Sequence, residues 1–203
     1  MSYFIGICGN IGSGKTTLCH HFSSYEDVTI VDENVDGNNF LAKFYEDMPA
    51  WALRSQLKFL IDRHSAAQRA EKARFIFEDR CLHEDIYVFA ATLFEQNIMK
   101  EEDWILYKQI ADIFINFHPR YDLLIYLTAS VPTLFRRTVS RGRLAEKDLA
   151  SEYIGWLQTR YETMMDEIRT TIPVFHVNTE LVDLRQPGIA KQLFNEAVER
   201  LQS

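Results

Sequence analysis

The chain opens on an unbroken apolar run, Tyr3-Phe4-Ile5-Gly6-Ile7-Cys8, which is strand-sized and predicts a strand buried on both faces. Runs of the same character recur at Val28 to Val31, Phe75 to Phe77, Leu123 to Thr128 and Val174 to Val177. Between them, helical patterning covers residues 15–22, 49–74, 84–100, 102–117, 132–141, 146–170 and 188–201. Pro132 sits near the start of one of these segments, where its fixed φ suits a helix. Alternating strands and helices predict an α/β fold on a parallel sheet. No internal repeat and no Gly/Ser/Pro linker interrupts the pattern, so residues 1–203 read as a single domain.

Composition narrows the class. At 203 residues, 47% hydrophobic and 25% charged, the chain matches an ordinary globular protein and excludes disordered and collagen-like readings. No apolar run is long enough to span a membrane, and the N-terminus lacks a signal-peptide pattern. Three cysteines, Cys8, Cys19 and Cys81, form no CxxC pair and cannot all be disulfide-bonded, so a cytoplasmic location is expected. The net charge of −7 repels polyanions and argues against a nucleic-acid polymer as partner. Two features stand against this background. Four of the eight glycines, Gly6, Gly9, Gly12 and Gly14, fall in the first fourteen residues, and residues 136–143 of this acidic chain hold four arginines.

Gly9-Asn10-Ile11-Gly12-Ser13-Gly14-Lys15-Thr16 satisfies GxxxxGK[ST] between a predicted strand and a predicted helix. Backbone N–H groups of such a loop wrap phosphates, the helix start favours negative charge, the lysine neutralises β- and γ-phosphates, and the Thr16 hydroxyl ligates Mg²⁺. Residues 9–16 with Thr17 are therefore the candidate ATP-phosphate site. The alternative, a flexible surface turn, is weak in this context. A loop of this kind serves kinases, switch NTPases and binding modules alike. GTPase base-specificity motifs and transporter signatures are absent, which puts a small-molecule kinase first.

Beyond the loop, Val31-Asp32-Glu33-Asn34-Val35 follows the second strand and Phe77-Glu78-Asp79-Arg80-Cys81 ends the third. With residues 40–45, Trp51, Gln56, Arg63, Asp85 and the arginine-rich stretch, these resemble the deoxynucleoside kinase family in order and spacing, over nearly the whole chain. The short length is similar to bacterial deoxyadenosine and deoxyguanosine kinases, and the family is related to deoxycytidine kinase. Two positions depart from the family pattern: Asn34 stands where proline is usual and Cys81 where serine is usual.

The resemblance implies a P-loop kinase fold with five parallel strands in the order 2-3-1-4-5, and an arginine-rich lid at about 136–146. It implies transfer of the γ-phosphate of ATP, with Mg²⁺, to the 5′-hydroxyl of a deoxynucleoside in nucleotide salvage. Deoxyadenosine or deoxyguanosine is favoured and deoxycytidine is allowed. In that picture Glu33 is the base that takes the 5′-hydroxyl proton, Lys15 and Arg80 attend the phosphate and the 5′-oxygen, and Thr16 and Asp79 hold the metal. Arg137, Arg141 and Arg143 close over the triphosphate, Gln56, Arg63 and Asp85 bind the base, and Tyr45 and Glu146 bind the sugar 3′-hydroxyl. Each role has a bland counterpart: a solvated acid for Glu33, a surface pair for Asp79 and Arg80, a half-buried aromatic for Tyr45, a helix-start acid for Glu146 and a solvated helix end for the arginines. On periodicity alone, Gln56 and Arg63 lie on the wet side of a helix whose apolar side is Leu53, Leu57, Leu60 and Ile61.

The resemblance also implies a homodimer built on long helices, with those starting at Glu84 and Glu102 as candidates, and it leaves room for a deoxynucleoside triphosphate feedback inhibitor. Ile105, Ile110, Ile113, Phe114 and Phe117 read as core or as that interface. His20 and His21 cap or leave the first helix, and no histidine spacing suggests a metal site. Two rival readings remain at this point: a nucleoside monophosphate kinase of the thymidylate kinase kind, with Arg74 or Arg80 on the acceptor phosphate, and a non-catalytic nucleotide-binding regulator.

Overall fold

The computed structural model describes residues 2–33, 37–142 and 151–202. Strands β1 (Tyr3–Cys8), β2 (Val28–Val31), β3 (Phe75–Asp79), β4 (Leu123–Thr128) and β5 (Val174–Asn178) pair in parallel in the order β2-β3-β1-β4-β5. This is the sheet order expected above. The first strand becomes the central one, paired to β3 on one side and β4 on the other. Its Ile5, Ile7 and Cys8 are wholly buried, as the unbroken apolar run requires.

Alternation along the strands divides the core into two layers. Ile5 and Ile7 of β1 join Leu123, Ile125 and Leu127 of β4 beneath α1 (Lys15–Phe22) and α9 (Pro187–Gln202). Phe4 and Cys8 join Leu124 and Tyr126 on the opposite face. There the cover is α3 (Met48–Arg69), α4 (Leu82–Glu84), a π-helical stretch (Asp85–Ala90), α5 (Ala91–Glu95), α6 (Glu101–Phe117) and α8 (Ser151–Ile168). A side chain such as Leu18, Phe22 or Leu60, fully removed from water, contributes about 1.5–3 kcal/mol. None of the described helices is long and apolar enough to cross a membrane.

Three expectations about helices change. The segment expected over 49–74 ends at Arg69, and Glu71, Lys72 and Arg74 run exposed into β3, because they have no apolar face to bury. The segment expected over 84–100 stops at Glu95. Asn97 takes a left-handed conformation (φ 56°) and the N–H groups of Ile98 and Met99 both turn back to the Leu93 carbonyl. A short helix that periodicity did not predict, α2 (Leu41–Glu46), precedes α3, whose start is capped by Asp47 accepting from the Ala50 N–H at 3.2 Å. Helix α7 (Val131–Arg141) follows β4 and ends on Gly142 in the left-handed conformation.

Candidate active site

The carboxyl ends of the strands meet a cleft of about 1090 Å³, the position at which open α/β sheets bind ligands. The glycine loop forms one wall. Gly9 adopts φ 146°, and a Cβ there would lie 2.3 Å from the Leu127 carbonyl oxygen; at Gly12, with φ 81°, a Cβ would lie 2.6 Å from that of Leu134. Only bare backbone fits both turns. Lys15 is 6% exposed and its Nζ donates to the carbonyls of Gly9 at 2.5 Å and Asn10 at 3.2 Å. Burial, then the like charge of Arg80, push its ammonium below the usual lysine value. Asn10 turns its side chain away from the cleft: Oδ1 accepts from the Ile11 N–H at 2.8 Å, and Nδ2 donates to the Ile154 carbonyl at 3.0 Å. Ile11, Gly12, Ser13, Gly14, Thr16 and Thr17 all line the cleft.

The ends of β2 and β3 bring the acids and Arg80 to the loop. Thr16 Oγ1 donates to Asp79 Oδ2 at 2.8 Å, while the other oxygen, Asp79 Oδ1, is buried without a protein partner. Burial, then the charge of Glu33, lift the Asp79 carboxyl above the ordinary aspartate value. A buried carboxylate oxygen with no donor, beside a hydroxyl, is a donor set that suits Mg²⁺. Arg80 follows in a left-handed conformation (φ 73°), unusual for a residue with a side chain, and its N–H donates to the Ile7 carbonyl at 3.0 Å. Its Nε donates to Glu33 Oε1 at 2.6 Å and its guanidinium lies 4.2 Å over the Phe89 ring. Burial alone raises the Glu33 carboxyl, but Arg80, Arg63 and Lys15 bring it below its ordinary value.

Helix α3 carries the opposite wall. Gln56 and Arg63 are 4% and 6% exposed, whereas Ile61 is 44% exposed. The wet-side reading is therefore overturned: the polar stripe faces inward because it backs the cleft. Gln56, Phe59, Tyr45 and Phe89 line it, together with Asp85 from the first turn of the π-helical stretch and Tyr153 of α8. Arg63 lies behind Asp85, donating through Nε at 2.6 Å and Nη2 at 3.3 Å to the two carboxylate oxygens. Its Nη1 also donates to the carbonyls of Asp79, at 3.0 Å, and Arg80, and its Nη2 is 3.6 Å from Glu33. Burial lifts the Asp85 carboxyl above its usual value, and the Arg63 guanidinium opposes that rise.

Arg136, Arg137 and Arg141 of α7 reach the cleft. Arg137 is anchored on the loop after β5, donating to Thr179 Oγ1 and to the Thr179 carbonyl, both at 2.8 Å. Arg143 and Glu146 lie outside the described residues, as does the segment 143–150 of the expected lid. His20, in the last turn of α1, lines the cleft, and His21 beside it completes that turn.

Three features were not anticipated. The loop 179–186 lines the cleft beside the arginines; its place after a parallel strand was signal enough. Glu84 is wholly buried, with Oε2 accepting from the Cys81 N–H at 2.6 Å and Oε1 from the Gly9 N–H at 3.1 Å. The spacing Cys81-Leu82-His83-Glu84 is that of a capping box with cysteine in the serine position. Tyr161, buried on α8, places its hydroxyl 2.5 Å from Glu84 Oε1 and 2.9 Å from the Gly9 carbonyl. No local pattern announces it.

Comparison with known proteins identifies the family and agrees with the fold. The family model described as deoxynucleoside kinase matches residues 5–201. A deoxyadenosine kinase of Dictyostelium discoideum is 33% identical over 184 residues, covering 90% of this chain and 75% of its own. A deoxyguanosine kinase of Bacillus subtilis (strain 168) is 28% identical over 176 residues, covering 87% of this chain and 84% of its own. A solved deoxyadenosine kinase from M. mycoides with bound dCTP superposes with a TM-score of 0.83 at 26% sequence identity, covering 95% of this chain and 99% of that one. From the glycine loop to the last helix, this chain is a member of the deoxynucleoside kinase family, a phosphotransferase family.

Proposed function

We propose that the chain transfers the γ-phosphate of ATP to the 5′-hydroxyl of a deoxynucleoside, with deoxyadenosine or deoxyguanosine preferred and deoxycytidine accepted, in cytoplasmic nucleotide salvage. One observation carries the reading. The Glu33 carboxylate, held at 2.6 Å by Arg80, lies in the same cleft as the glycine loop on one wall and Tyr45, Gln56 and Asp85 on the other. Phosphoryl transfer asks of the protein mainly positioning and charge stabilisation, with a base near the nucleophile. Glu33 takes the proton from the 5′-hydroxyl. Lys15 and Arg80 stabilise charge on the transferring group. Asp79 and Thr16 would hold Mg²⁺, which neutralises phosphate charge when bound.

Gln56 offers the base one donor and one acceptor from a single amide, and Asp85 adds an acceptor beside it. Tyr45, with Glu146, binds the sugar 3′-hydroxyl. Three relatives support a purine base, being named for deoxyguanosine, for deoxyadenosine and for deoxyadenosine with deoxycytidine, whereas others are named for deoxycytidine alone or for thymidine. The related M. mycoides enzyme holds dCTP in one structure, which supports a deoxynucleoside triphosphate as feedback inhibitor here.

Arg137, Arg141 and Arg143 bind the triphosphate. Arginine keeps its charge and its planar fork as the transition state develops. Arg141→Ala is expected to lower kcat by a larger factor than it raises the deoxynucleoside KM, read from steady-state kinetics with ATP in excess. An unchanged kcat returns Arg141 to a solvated helix end.

The reading includes a homodimer. Ile105, Ile113 and Phe117 on α6 are 51%, 58% and 70% exposed, and these large side chains share a helix whose inner face, Tyr107 and Ala111, is buried. The stretch after Glu84 is instead covered within the protomer, with Ile86, Val88 and Leu93 buried, so support for an interface falls on α6. Ile113→Glu is expected to convert a dimer to a monomer by light scattering; an unaltered mass places the interface elsewhere.

The deciding experiment is a panel of nucleosides and nucleoside monophosphates with ATP and Mg²⁺, with products resolved by chromatography. Turnover of purine deoxynucleosides is expected. Phosphorylation of monophosphates only, or no turnover at all, overturns the reading.

A further inference from the structure

We infer that Glu84 and Tyr161 act together as positioning residues, forming a buried strut that sets the phosphate loop and Arg80 at their working separation. This rests on the proposed placement of the phosphates at the glycine loop and of Arg80 beside the 5′-oxygen. Both side chains are wholly buried and neither faces the cleft.

The proton count makes them one unit. Tyr161 has a single hydroxyl proton and two acceptors within reach, the Gly9 carbonyl at 2.9 Å and Glu84 Oε1 at 2.5 Å. The bond to the carboxylate is shorter and charge-assisted, so it takes the proton. The Gly9 carbonyl is satisfied independently by Lys15 Nζ. Tyr161 oxygen is left free to accept, and Arg80 Nη1 donates to it at 3.4 Å. Glu84 Oε1 thus collects the Tyr161 O–H and the Gly9 N–H, while Oε2 takes the Cys81 N–H.

The consequence is mechanical. Through one carboxylate, the residue that opens the phosphate loop is bonded to the residue that follows Arg80 in sequence, and through Tyr161 the Arg80 side chain is bonded to both. Arg80 stands in a left-handed conformation that a side chain disfavours. Such a backbone persists only where neighbours over-determine it, and Glu84 supplies the contact on its C-terminal side. Arg80 in turn holds Glu33. The strut therefore fixes phosphate loop, arginine and base relative to one another without touching any reactant. The Sγ atoms of Cys8 and Cys81 lie within 4.8 Å of a Glu84 oxygen, a spacing a metal ion could use. Both Glu84 oxygens already accept N–H or O–H donors, however, so the cluster reads as a strut.

Tyr161→Phe keeps the ring, which packs on Tyr126, and removes only the hydroxyl. A displacement of about 1 Å at a reacting group costs about 10²-fold, so kcat is expected to fall about tenfold to a hundredfold, with the deoxynucleoside KM within about threefold of wild type. Glu84→Gln, which places an amide donor against N–H donors, is expected to lose at least as much. The double variant is expected to lose no more than the worse single one, because the pair acts as a unit. Rates are taken per folded molecule, with thermal unfolding measured alongside. Lys15→Ala, assayed in parallel, tests the phosphate placement itself. If Lys15→Ala is inactive while Tyr161→Phe or Glu84→Gln turns over at the wild-type rate, the strut is overturned and the phosphate site stands. A fully active Lys15→Ala overturns the phosphate placement and the strut with it. Strictly multiplicative losses in the double variant also overturn the pairing.

Discussion

Replacing Glu33 by glutamine is expected to lower kcat at least ~100-fold while deoxynucleoside binding persists. Glutamine keeps the size and can still accept from Arg80 Nε, so the geometry survives and only the proton acceptor is lost. Calorimetric binding beside single-turnover rates separates the two effects. A near wild-type kcat would return Glu33 to a solvated acid. The same site fixes a pH signature. Although burial alone raises the Glu33 carboxyl, the guanidinium groups of Arg80 and Arg63 and the Lys15 ammonium bring it below 4.5, its ordinary value. The base is ionised across the neutral range, and kcat is expected to fall on the acid side only below about that value. Its proton is held more weakly when folded. The stability this contributes is present above the unfolded carboxyl's titration and fades as pH drops through the lower folded one.

Asp85→Ala should strongly reduce activity on the preferred deoxynucleoside. Asp85 and Arg63 are each nearly dry, and removing one partner of such a pair leaves the other charge uncompensated, at roughly 3–5 kcal/mol. The freed Arg63 guanidinium keeps the Asp79 and Arg80 carbonyls and lies 3.6 Å from Glu33, where it competes with Arg80 for the base. The damage therefore reaches the chemistry as well as the base pocket. Arg63→Met combined with Asp85→Ala removes the stranded charge and widens the pocket, and it is expected to recover part of the lost turnover and admit thymidine. Recovery stays partial because the two carbonyls lose their donor. Kinetics on deoxyadenosine, deoxyguanosine, deoxycytidine and thymidine decide it. A small effect of Asp85→Ala on all four means the pair is a surface-like bridge worth about 0–1 kcal/mol.

What could be read from the amino-acid order follows from which interactions are local. The three central strands were legible because each holds an apolar run in a doubly covered sheet, the half-buried edge strands β2 and β5 because Val, Ile and Phe dominate them, and the glycine loop because its backbone geometry forbids side chains at fixed spacings. Helix α2 was not legible, since six residues complete too few turns to display a period. The inward face of α3 was misjudged by periodicity because Gln56 and Arg63 are buried to back a cleft, a demand that hydrophobicity does not encode. The resemblance pointed to both residues for that reason. Glu84 and Tyr161 escaped because, apart from the Cys81 N–H three residues before Glu84, the partners that join them lie 75 to 152 residues away in sequence. Tyrosine on a mostly apolar helix face looks like packing until its hydroxyl's neighbours are known.

Phosphoryl transfer as proposed requires one geometry: a nucleoside 5′-oxygen held between Glu33 and a phosphate seated on the glycine loop. It is tested most directly by a crystal structure of the chain with a purine deoxynucleoside and ADP. The 5′-oxygen is expected within about 2.6–3.2 Å of a Glu33 oxygen, the base edge against Gln56, and the ADP phosphates on residues 9–16. A nucleoside whose 5′-oxygen points away from Glu33, or one seated with its base on the glycine loop, would contradict it.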